Sequence, residues 1–151
     1  MTANYTAIQI ANWFLARNRM AIEEMGGDLI SNLKLQKLLY YAQGAYLAIK
    51  GIALFDDPIV AWKHGPVVET VYYEFRSYGS SGIEYDGSDL PVFDDETKNI
   101  LEQVYRVFGQ YSAWKLRELT HCETPWNSTE QGCVIDLTLI KDYFERNYIV
   151  E

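Results

Sequence analysis

The tightest constraint on this chain is the stretch 31–51, where Leu35, Leu38, Leu39, Ala42, Tyr46 and Ile49 recur at the period of an α-helix. Such an apolar stripe is stable only when other apolar surface covers it. Ser31 stands where an N-cap hydroxyl would accept an orphan helix N–H, and Gly51 stands where a C′ glycine would close the last turn. The rest of the chain must therefore supply a wall for this helix.

That wall is available in kind. From Thr6 to Met25 the positions Ile8, Ala11, Leu15, Ile22 and Met25 keep helical spacing; Thr6 and Gln9 form a capping box, and Gly26-Gly27 ends the run. Asp94 or Asp95 caps a helix with Ile100, Leu101, Val104 and Phe108 inward, and Gly109 marks its end. Ser112 caps a shorter one carrying Leu116 and Leu119, Thr124-Pro125-Trp126 opens a turn, and a last helix runs from about Leu137 through Ile140, Phe144 and Tyr148.

Between these helices the signals change. Asp56-Asp57-Pro58 is a turn, and Ile59 to Trp62 suits a short strand. Pro66 after Gly65 predicts the first position of a third helix with Val68, Val71, Tyr72 and Phe75 inward, stopping at Gly79. The Gly-, Ser- and Asp-rich connection 79–94 holds Ile83 to Tyr85, expected to pair with Ile59 to Trp62. The expectation is a mainly α, single-domain bundle of about six helices over 1–151, with a small two- or three-stranded antiparallel β element.

Composition narrows function. Asp plus Glu number 21 against 13 for Lys plus Arg, a net charge of -8 that repels a polyanion, so nucleic acid is not the expected partner. No signal-peptide pattern or membrane-length apolar run occurs, which places the chain in the cytoplasm as an expectation, with no membrane partner and with Cys122 and Cys133 as free thiols. His121, Cys122, Glu123 and Cys133 lack metal-ligand spacing, the two histidines carry no nucleophile signature, and Gly79-Ser80-Ser81-Gly82 lacks the Lys of a phosphate loop. No catalytic, cofactor-binding or metal residue is assigned, and no enzyme is expected.

Three blocks together resemble the Panacea (SocA-like) antitoxin domain, a phage-associated family. They are Lys34-Leu35-Gln36-Lys37-Leu38-Leu39-Tyr40-Tyr41-Ala42-Gln43, then Ala61-Trp62-Lys63-His64-Gly65-Pro66-Val67, then Leu119-Thr120-His121 with Pro125-Trp126. Asn127-Ser128-Thr129-Glu130 departs from the family's tail. The resemblance implies an antitoxin that neutralises a cognate protein toxin, encoded beside it, by direct binding. The alternatives are an adaptor that hands a client to an energy-dependent protease, or an enzyme with a site assembled in space.

The motif residues divide into two sets. Leu35, Leu38, Gly65, Pro66, Val67, Leu119, His121, Pro125 and Trp126 read as structural. Lys34, Lys37, Tyr41, Trp62, His64, Tyr73 and Arg76 are the candidate partner-binding residues. For Lys34 and Lys37, with Gln36 and Gln43, three roles stay open: capping neighbouring carbonyls, pairing with acids, or lying on a solvated or partner-facing side. Trp62 either plugs the core or fronts an anion site at a helix N-terminus.

Overall fold

The computed structural model describes residues 3–149. Of the unit expected over 1–151, residues 1, 2, 150 and 151 lie outside the described residues. The order is α1 (Ala7–Met25), β1 (Ile30–Ser31), α2 (Asn32–Lys50), β2 (Ile59–Trp62), β3 (Gly65–Val68), α3 (Glu69–Glu74), a 3-10 turn (Arg76–Tyr78), β4 (Gly82–Ile83), α4 (Asp95–Phe108), α5 (Ala113–His121), α6 (Thr124–Asn127) and α7 (Leu137–Asn147). The fold is mainly α, as the helical periods require.

The caps sit where the side chains can reach them. Thr6 and Gln9 close the capping box of α1, Ser31 accepts from the Lys34 amide, Asp94 from Thr97 and Ser112 from Lys115. Gly51 ends α2 in the left-handed region at φ 77°. Thr124–Asn127, expected as a turn, winds into the short α6 with Pro125 near its start, which brings the described α-helices to seven.

α2 is enclosed nearly all round, with thirteen of its nineteen residues buried, because α1, α4, α5, α7 and β3 all pack on it. Its apolar stripe, apart from the exposed Ile49, faces one continuous core that includes Ile10, Phe14, Leu101, Val104, Leu116, Ile140 and Phe144. Gly44 lets the Phe144 ring approach the helix backbone; a Cβ there would lie 2.4 Å from the ring.

Two expectations in the middle of the chain are overturned. Ile83 pairs with Ile30 of β1, and β2 pairs instead with β3, Trp62 opposite Gly65 and Ile59 opposite Val68. Pro66 is consequently a strand residue, not the first residue of a helix. A two-residue turn, Lys63-His64, closes the hairpin, so the outward positions of β3 are Pro66 and Val68, and the missing proline N–H costs no ladder bond. Gly65, at φ 109°, carries the chain out of the turn. The helix starts three residues later, at Glu69, and is only six residues long. The other edge of β2 is covered by 132–135: the Ala61 amide donates to Cys133 O, Gly132 donates to Ala61 O and Ile135 to Ile59 O. Among the described residues no helix is long and apolar enough to cross a membrane.

Candidate functional site

The polar residues of α2 close the gap between that helix and the hairpin. Gln36 takes the Val68 amide on Oε1 at 2.8 Å and donates from Nε2 to Asn32 Oδ1, while Asn32 donates to Tyr72 O. Lys37 runs beneath Gly65 and donates from Nζ to Pro66 O at 3.0 Å. A Cβ on Gly65 would lie 2.7 Å from Lys37 Cε and 2.8 Å from Thr120 Oγ1, so this position has no room for a side chain. Two turns on from Gln36, Gln43 holds the 53–55 loop through Leu54 N and Phe55 O. Both outward backbone groups of β3 are thus met by α2 side chains.

Burial shifts the charge of this core. Enclosure, and then the nearby Arg117, push the Lys37 amine down to about 7. One turn further along α2, Glu123 is 2% exposed, and its carboxylate accepts hydroxyls from Tyr40 at 2.8 Å, Tyr41 at 2.9 Å and Tyr148. Burial raises the Glu123 carboxyl above its ordinary range against the opposing pull of those hydroxyls, and it raises all three phenols. The Tyr41 ring stacks on Phe108 at 3.8 Å, which locks the phenol in place.

The surface above this core lies at the hairpin tip. Trp62 O accepts from Trp126 Nε1 at 2.7 Å, and the His121 ring stacks flat on Trp126 at 4.0 Å. His64 accepts on Nδ1 from Arg117 Nε at 2.9 Å, and the Arg117 guanidinium lies 4.4 Å from the centre of the Trp114 ring. Loss of hydration, then Arg117, hold both His64 and His121 below the ordinary imidazole value. Beside the tip runs a groove of about 320 Å³ that Leu33, Trp62, Val67 and Tyr72 line with apolar surface.

The candidate partner-binding residues fall into two groups. Trp62, His64, Tyr73 and Arg76 share the hairpin side: Trp62 and Tyr73 are 6.3 Å apart, and Arg76 lies over the Tyr73 ring. Lys34 is half-buried and caps the end of α4 through Gly109 O. Lys37 and Tyr41 are fully buried, contrary to a surface role, because α5 and the hairpin cover one and α4 with α7 cover the other. Trp62 fronts a hairpin turn and not a helix N-terminus, which rules against the anion-site alternative there. Of the structural set, Leu35, Leu38, Gly65, Pro66, Val67 and Pro125 are buried, and Leu119 and Trp126 pack against the core. Sequence reasoning set Glu123 aside as a metal ligand, placed Tyr148 only as a helix position, and missed Trp114 and Arg117. The last two stand three residues apart on α5, off the Leu116 and Leu119 stripe, which was the available signal.

Residues 35–127 match the family model described as Antitoxin SocA-like, Panacea domain. The chain belongs to this family. The match runs from α2 to α6 and so includes Gln36, Lys37, Tyr40, Tyr41, Gln43 and Glu123, the clamps just described. Antitoxin SocA of Caulobacter vibrioides (strain NA1000 / CB15N) is 35% identical over 118 residues, covering 68% of this chain and 61% of that protein. The Panacea chain therefore spans less than two thirds of that relative's length. No solved structure matches it.

Proposed function

We propose that this Panacea-family chain is a cytoplasmic antitoxin that neutralises a cognate protein toxin by direct contact, without catalysis. The observation that carries the reading is the fate of the motif's reactive side chains. Lys37, Tyr40, Tyr41 and Glu123 are enclosed, each holding one element against another. What the motif presents outward is shape: a hairpin tip fixed from below, flanked by Trp62, Trp114 and Tyr73. Aromatic side chains on a rigid base give large contact area at low entropic cost. The name of the relative, Antitoxin SocA, points the same way.

Expression with the neighbouring reading frame tests this. The neighbour alone should arrest growth, and the pair should grow and co-purify as a stoichiometric complex. A harmless neighbour, or a toxic one that is neither bound nor tolerated, refutes the proposal. Repeating the rescue in a host lacking its energy-dependent proteases separates occlusion from delivery, since protection by contact alone persists there.

A further inference from the structure

The hairpin tip carries cations, Lys63 beside His64 and Arg117 reaching over from α5, with Glu118 the exposed acid next along that helix. Ion pairs among the described residues join Arg17 and Arg106 to Glu102, Lys50 to Glu96 and Lys141 to Glu145, all away from the hairpin tip. Lys63 and Arg117 are among the nine of thirteen cations that take part in none of them. Arg117 instead directs Nε at the His64 ring, which must then carry its proton on Nε2 and keeps that donor on an exposed imidazole. Charges acting on His64 come from Arg117, Lys63 and Lys37, and those on His121 from Arg117, Lys37 and His64, with no carboxylate among them. Glu69, an acid on this side, is engaged by the Trp62 indole at 3.1 Å.

The neighbouring surface is apolar. Trp114 is 56% exposed beneath the Arg117 guanidinium, and the Trp62 to Tyr72 groove opens beside His64. Backbone pairing with an added strand is closed off, because 132–135 covers β2 and α2 side chains hold Pro66 O and Val68 N. Recognition there falls to side chains.

We infer that the β2–β3 hairpin tip and the adjoining face of α5 form a docking site for an acidic, extended segment of a protein partner. Its carboxylates meet Lys63, His64 and Arg117, and its apolar side chains enter the groove beside Trp62 and cover Trp114. The inference rests on the antitoxin reading for the identity of the partner, and on charge complementarity for its chemistry. A nucleic acid fits less well, since three cationic or donor groups at one turn cannot track a phosphate backbone while the rest of the chain repels it.

The test titrates the full chain with a capped peptide of about eight alternating Glu and Leu residues, with its Gln and Leu counterpart, and with a thymidine oligonucleotide, following tryptophan fluorescence and backbone amide shifts. The acidic peptide should shift the amides of 62–65 and 113–117, saturate, and weaken by about tenfold or more between about 50 mM and about 300 mM salt. Lys63→Glu with Arg117→Glu should abolish these shifts at an unchanged melting temperature, and Trp114→Ala should weaken them should the double variant not fold. Equal binding of the uncharged peptide, tighter binding of the oligonucleotide, unaltered binding by the variants, or no shift of these amides overturns the docking site. In the growth assay the failures separate: a charge-reversed chain that still protects removes this site alone, whereas a wild-type chain that does not protect removes the antitoxin reading.

Discussion

Lys37→Met should flatten the pH dependence of stability between about pH 7 and pH 9. The amine is fully buried, is bonded to Pro66 O, and is pushed down to about 7 from an ordinary 10.5. A folded-state value below the unfolded one means that the unfolded chain binds more protons across that interval, so wild-type stability rises with pH through it. Integrating the two titrations gives a penalty of about 4 kcal/mol at pH 7 that shrinks to about 2 kcal/mol at pH 9. With a urea dependence of about 2 kcal/mol per molar, the wild-type midpoint should climb by about 1 M relative to the Met variant. Met keeps the apolar stem under Gly65 but leaves Pro66 O unpaired, a loss of about 1 to 3 kcal/mol that does not vary with pH. His64 and His121 sit below the ordinary imidazole value and Arg117 stays charged, so the groups facing Lys37 are silent in this window. Urea unfolding of both chains at several pH values, read by circular dichroism, decides the matter. Parallel midpoints would refute an enclosed, weakly basic amine.

Other changes probe the same framework. Glu123→Ala strips the acceptor from two buried tyrosine hydroxyls and the part-buried one of Tyr148, and should cost about 3 kcal/mol or more in urea unfolding. Glu123→Gln should cost less. Because the folded-state carboxyl is raised, wild-type stability is fullest below the ordinary carboxylate range and declines as pH rises through it, a decline the Gln variant should lack. Gly44→Ala would gain about 1 kcal/mol of helix propensity but drives a Cβ into the Phe144 ring; the overlap, up to about 3 kcal/mol, should win and lower the melting temperature. Trp114→Ala should change stability by no more than about 0.5 kcal/mol while weakening the complex with the proposed toxin partner, measured by calorimetry.

What could be read from the sequence was what is local. The helices over 7–25, 32–50, 95–108 and 137–147 and the caps Thr6, Ser31, Asp94 and Ser112 follow from spacing and short side-chain reach. The hairpin was not legible because a proline φ suits a helix start and a strand equally, and the reasons for Gly65, its positive φ and the Lys37 stem and Thr120 hydroxyl packed against it, exist only in the fold. Lys37, Gln36, Gln43 and Glu123 default to solvent in any composition-based argument. Their burial depends on covers contributed by β3, α5 and α7, segments remote in sequence. The candidate site was half visible: Trp62, His64, Tyr73 and Arg76 are at the surface near one another, while Arg117 and Trp114 joined them only in space.

The encircled helix α2 also bears on how relatives can diverge. Each neighbour of this axle comes from a different part of the chain, so losing any one of them bares apolar surface and opens the whole assembly together. Exposed stretches off the axle, such as 86–90, carry no such duty. Substitutions accumulating at the rim would alter the outline offered to an opponent without disturbing the bearing on which everything turns, which lets recognition drift quickly while the frame stays still.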